Sequence, residues 1–120
     1  MYLEFQKNND ILIVKLIGEL DHHNAEEMRV KIDDRIDKDN INKVILDFGK
    51  VNFMDSSGIG AVVGRYKKMK SRDGDICIAN ISNTAKKVFE LSGLFKIIKN
   101  YKDIAEALKC MWWRGKYVWK

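Results

Sequence analysis

The run Val44-Ile45-Leu46, inside the segment Lys43 to Phe48, constrains the fold more than any other stretch of the chain. Three consecutive aliphatic side chains leave no polar side for a strand to turn toward water, so the run suits a strand covered on both faces, as in a parallel or mixed sheet. Covering both faces takes helices, and the flanking segments have helical spacing. From Asn24 to about Asp37 the apolar positions Ala25, Met28, Ile32 and Ile36 recur every three or four residues, while Glu26, Glu27, Arg29 and Lys31 fall on the opposite side. From Ser57 to about Ser71 the same spacing returns in Ile59, Val62, Val63, Tyr66 and Met69, behind Asp55 and Ser56 at the capping position.

Around this centre the rest of the chain falls into place. Tyr2 to Gln6 and Ile11 to Ile17 read as two strands joined by Lys7-Asn8-Asn9-Asp10, whose Asn and Asp residues favour turn conformations. Ile76 to Ala79 is a further strand. Ser82 or Asn83 caps a short helix carrying Ala85, Val88 and Phe89, which Gly93 is suited to end with a positive φ. Phe95 to Ile98 reads as one more strand, and Ile104, Ala107, Leu108 and Met111 as the inner face of a last helix. The order β-β-α-β-α-β-α-β-α predicts an α/β fold, a mixed central sheet with about four helices packed against it.

With 120 residues, 46% of them hydrophobic, the chain supports one domain with its own core. No apolar run approaches the roughly 20 residues needed to cross a bilayer, and Met1 to Asp10 has no signal-peptide core, so a soluble cytoplasmic protein is expected. Cys77 and Cys110 stand apart from each other and from any metal-ligand spacing, which predicts reduced thiols. The net charge of +5 comes from 22 basic and 17 acidic residues interleaved along most of the chain, the pattern of a solvated surface and not of a nucleic-acid footprint. The exception is residues 111–120, where three tryptophans, Trp112, Trp113 and Trp119, stand among Arg114, Lys116 and Lys120. Such a tail can anchor at a membrane interface or stack on single-stranded nucleic acid, but extension of the last helix or a simple terminus is the preferred reading. The domain is therefore expected over 1–110 and the tail over 111–120.

Two strand-to-helix connections carry the candidate chemistry. In Asn52-Phe53-Met54-Asp55-Ser56-Ser57-Gly58-Ile59-Gly60 a helix begins, and its first N–H groups and dipole favour an anion there. Gly58 and Gly60 admit another backbone or a ligand close to the turn, although each glycine costs a helix up to about 1 kcal/mol relative to alanine. A plain structural reading also exists, in which Ser56 and Ser57 only cap the helix. The second connection is Gly18-Glu19-Leu20-Asp21-His22-His23-Asn24. If its strand neighbours the other in the sheet, both open on one edge, where partners of open α/β sheets dock, and Asp21 faces Ser56. Alternatively Asp21 or Asn24 simply caps the helix. Adjacent histidines point apart, so His22 and His23 predict no metal site.

Gly18-Glu19-Leu20-Asp21-His22-His23, then Phe53 through Gly60, then Gly64-Arg65-Tyr66-Lys67, then Ser92-Gly93-Leu94-Phe95-Lys96-Ile97-Ile98 together resemble the STAS-domain anti-sigma factor antagonists, and among them the sporulation group of endospore-forming bacteria. Four separated motifs agree in order and spacing over roughly residues 1 to 110. The resemblance implies a STAS fold and a protein that, unphosphorylated, binds an anti-sigma factor and so frees the sporulation sigma factor. It implies that Ser56 is phosphorylated by that anti-sigma factor, itself a serine kinase, and restored by a serine phosphatase. It further implies a partner surface of Asp21, His22, Asn24, Asp55, Ser56, Ser57, Gly58 and Gly60. A second reading is a STAS regulator of another kinase and phosphatase module, in general stress or biofilm control. No catalytic activity, cofactor or metal is expected: the G-x-S-x-G elbow is missing, because Ser56 follows Asp55, and there is no G-x-x-x-x-G-K-[ST] loop.

Overall fold

The computed structural model describes residues 1–116, with side chains through Met111, so the side chains of the aromatic and basic tail from Trp112 onward lie outside the described residues. Strands β1 (Tyr2–Asn8) and β2 (Ile11–Leu20) form a hairpin closed by the pair Asn8 and Ile11. Asn9 takes a φ of 58° in its turn, a left-handed conformation that asparagine tolerates better than most residues. The chain then passes through α1 (His22–Lys38), β3 (Lys43–Met54), α2 (Ser56–Ser71), β4 (Asp75–Ala79), α3 (Asn83–Ser92), β5 (Lys99–Tyr101) and α4 (Ile104–Lys116). The five strands lie in the order β1-β2-β3-β4-β5, with β1 antiparallel to β2 and every other pair parallel. This is the mixed sheet expected from the sequence.

The central run of β3 is covered on both sides, for the reason its composition suggested. Val44, Leu46 and Phe48 point into the larger core with Leu12, Val14 and Leu16, against Met28 and Ile32 of α1, Val62 and Met69 of α2, and Phe89 of α3. Phe48 and Phe89 meet edge to face at 5.4 Å. Ile45 points the other way, with Ile11, Ile13 and Cys77, under Ala107 and Met111 of α4. Each fully buried aliphatic side chain contributes about 1.5–3 kcal/mol relative to exposure.

Two expectations need correction. The segment Phe95 to Ile98 is not a strand: Leu94–Lys96 forms a 3-10 turn and β5 starts only at Lys99. Gly93, at φ 78°, ends α3, and the Ile98 N–H then bonds the Leu94 carbonyl at 3.0 Å. One tight turn thus buries both Leu94 and Ile98 while leaving Ile97 exposed, a period that a short apolar run does not reveal. The second correction concerns length. β2 runs to Leu20 and β3 to Met54, past the expected ends at Ile17 and Phe48, because the two strands keep pairing through shifts in register after Lys15 and after Gly18. What reads as two loops is, at each site, a single aspartate between strand and helix.

Candidate functional site

Leu20 and Met54 are paired across β2 and β3, so the residues that follow them, Asp21 and Asp55, leave the sheet side by side. Each aspartate is the N-cap of its helix in an extended conformation. Asp21 Oδ1 accepts from the backbone N–H groups of His23 and Asn24, both at 3.0 Å. Asp55 Oδ1 accepts from Ser57 at 2.9 Å and from Gly58 at 3.4 Å. Two N–H groups that a helix start would leave unpaired are thereby satisfied at each turn. Asp21, not Asn24, caps α1; Asn24 instead donates from Nδ2 to the Glu19 carbonyl at 2.8 Å and so closes its turn from outside.

The turns also touch. The Asp55 N–H lies 3.4 Å from the Leu20 carbonyl oxygen, toward which it donates. A Cβ built on Gly58 would stand 2.8 Å from that same oxygen and 2.9 Å from Leu20 Cγ. Gly58 is therefore buried because the neighbouring turn occupies the space a side chain would need. Gly60 is different: a Cβ there meets nothing within 4 Å, and the residue is exposed. Within the chain it clears the way for nothing.

On this rim Ser56 is the first residue of α2 and is exposed, while Ser57 is half-buried with its N–H held by the cap. His22 and His23 are exposed at the start of α1, their rings edge to face 5.8 Å apart. Among the described residues no group of three or more His, Cys, Asp or Glu is placed to hold a metal ion. No described helix is long and apolar enough to cross a membrane. The structure adds Phe53, which in the sequence stands out only as part of the stretch from Phe53 to Gly60. It is 47% exposed on the last turn of strand before Ser56, opposite Glu19. Its signal in the sequence was weak, since an aromatic residue in a strand is ordinarily assigned to the core.

The rim therefore presents an exposed serine on the first turn of α2, next to the Asp55 cap and on the same sheet edge as Asp21.

Comparison with known proteins gives one consistent picture. The STAS domain family profile matches residues 2–107. The anti-sigma F factor antagonist of Paenibacillus polymyxa is 33% identical over 108 residues, covering 90% of this chain and 92% of that protein. The solved structure of the anti-sigma factor antagonist SpoIIAA in its unphosphorylated form superposes with a TM-score of 0.79 at 31% identity, covering 99% of this chain and 100% of that one. That of the Bacillus cell fate determinant SpoIIAA in the phosphorylated form gives 0.71 at 33% identity, over 90% of this chain and 97% of that one.

Proposed function

The chain belongs to the STAS domain family and is an anti-sigma factor antagonist of that type, and we propose that Ser56 is the switch by which its affinity for an anti-sigma factor is set. The observation that carries this reading is the contrast between neighbours: Ser56 is open to a kinase, whereas Ser57 is half-buried and tied into the cap. SpoIIAA, similar over the whole chain, is described in both an unphosphorylated and a phosphorylated form.

In this reading the partner is both anti-sigma factor and serine kinase. Ser56 Oγ attacks the γ-phosphorus of ATP, the hydroxyl proton is lost, a P–O bond to serine forms, and the bond to the bridging oxygen of ADP breaks. A serine phosphatase returns the hydroxyl by hydrolysis. The controlled factor is the sporulation sigma factor, and the site of action is the cytoplasm.

The physics of the switch lies in the complex and not in the fold. A phosphoryl group brings about −1.5 to −2 charges at neutral pH. In the free protein that charge sits at the N-terminal end of α2, where the helix dipole favours it and water reaches it. A partner that covers Ser56 must desolvate the phosphate beside the like charges of Asp21 and Asp55. A loss of about 4 kcal/mol weakens binding roughly a thousandfold.

Incubation with the anti-sigma factor and ATP, followed by intact mass and peptide mapping, tests the assignment. One phosphate on Ser56 is expected, none on Ser56→Ala, and retained binding by Ser56→Ala with weak binding by Ser56→Asp. Phosphate found on Ser57 in the Ser56→Ala protein would move the switch by one residue and refute the reading.

A further inference from the structure

Among the described residues Arg65 is the one basic side chain that is buried, at 5% exposure. Neither the partner surface nor the phosphoacceptor accounts for it. Its Nη1 donates to the Ala61 carbonyl at 3.2 Å within α2, and its Nε lies 2.8 Å from Asp33 Oδ1 of α1. Burial pulls the guanidinium below its ordinary pKa, and the Asp33 charge works against that pull. At this distance the two atoms are in ionic contact without a well-aligned Nε–Oδ1 hydrogen bond, and the Asp33 side chain remains 20% exposed. Arg29 reaches the second oxygen of Asp33 at 3.8 Å.

An ion pair buried on its arginine side and imperfectly hydrogen-bonded is a poor source of stability, because desolvation offsets much of the attraction; the best-attested use of such pairs is to fix register. Here there is a register to fix. Helices α1 and α2 leave the ends of two neighbouring parallel strands, and Met28 and Ile32 share one apolar core with Val62 and Met69, packing that by itself specifies a register less sharply than a directed pair does. The second ionic tie, Asp37 to Lys68 and Arg72, uses a carboxylate that is 58% exposed and is therefore screened. Arg65 lies roughly 13 Å along the axis from Ser56, and Asp33 roughly 18 Å from Asp21, at the helical rise. At that distance the pair does not reach the Ser56 hydroxyl, and Arg65 itself is 5% exposed.

We propose that Arg65, through Asp33, is a positioning residue that sets α2 against α1 and so holds Ser56 in line with the Asp21 turn for phosphoryl transfer. The proposal rests on the reading of Ser56 as phosphoacceptor. The decisive variant is D33L/R65M, which removes both charges and leaves apolar groups of similar volume. Such exchanges keep or raise stability in other buried pairs. Expected are an unchanged or higher melting temperature, shifted amide resonances of Ser57 and Gly58, and a kcat for Ser56 phosphorylation about tenfold lower with KM for the antagonist within twofold. Arg65→Lys, which keeps the charge, is expected to recover most of the rate.

Wild type and Ser56→Ala run beside them. Wild-type protein that gains no phosphate on Ser56 sinks the functional reading itself. Wild type phosphorylated normally, with D33L/R65M equally fast and its amide resonances unmoved, overturns the positioning role alone. A D33L/R65M protein that fails to fold also overturns it, by showing that the pair serves stability.

Discussion

The two turns at the rim use the same device and depend on it differently. Each is a strand ending, one aspartate and a helix beginning, and each aspartate holds two N–H groups. The α1 turn is strapped from its own side, since Asn24 donates back to the Glu19 carbonyl while its Oδ1 accepts from the Met1 amine at 3.3 Å. The α2 turn has no such strap and leans on its neighbour: Gly58 fits against the Leu20 carbonyl, and the Asp55 N–H points to the same oxygen. The turn that displays the hydroxyl is therefore the dependent one. That turn is held from below, through backbone, and Ser56 stays exposed on it.

The comparison breaks most readily at Gly58. Gly58→Ala places a methyl group against the Leu20 carbonyl, and the two turns must part; a loss of about 2 kcal/mol is expected in urea unfolding. Gly60→Ala, with open space around it, is expected to be neutral or to stabilise by up to about 1 kcal/mol, because alanine favours helix. Equal behaviour of the two variants would contradict the close approach of the turns.

A smaller effect separates the caps. Asp21→Ala and Asp55→Ala each lose two accepted hydrogen bonds and are expected to cost about 1 kcal/mol apiece. Only Asp55→Ala is expected to speed amide exchange at both Ser57 and Gly58, which a hydrogen-exchange measurement resolves residue by residue. Smaller again is Asn24→Ala, at about 0.5–1 kcal/mol, with exchange rising in the α1 turn and unchanged at Gly58. If exchange at Gly58 rises as much as at His23, the α1 turn is not self-contained.

The smallest effect lies at the far end of the same helix pair. Lys68 donates to Asp37 and holds its carboxyl below the ordinary value, with its charge and that of Arg72 adding to the effect. A carboxyl depressed in the folded state contributes stability above its unfolded pKa, and that contribution fades as pH falls through the depressed value. Because Asp37 is exposed to water and salt, the effect is best read as an NMR titration. Lys68→Met is expected to move the Asp37 midpoint upward with little change in melting temperature; an unmoved midpoint would show that this tie is absent in solution.

Much of this molecule was legible in its residues. Val44-Ile45-Leu46 required cover on two sides and has it. The spacing of Met28, Ile32 and Ile36 named the inner face of α1, and Gly93 ended α3 where a positive φ was needed. These features depend on interactions within a turn or two of helix, or on the alternation of a strand, and the sequence carries them locally. The same local view misread Phe95 to Ile98, because Phe95, Ile97 and Ile98 around Lys96 look alike whether their burial follows a strand or a tight turn.

At the rim, the sequence by itself determined that an Asp-Ser-Ser-Gly stretch starts a helix and that a serine stands at its positive end. Only the tertiary structure decided that β2 lies beside β3, and hence that Gly58 is pressed against Leu20 while Gly60 faces open space. It likewise decided that Arg65, an ordinary polar residue by helical spacing, is buried against Asp33. The physical reason is the same in each case: caps and periodicity act between near neighbours in the chain, whereas which backbone closes over which glycine, and which charge meets which, follows from the pairing of strands far apart in sequence.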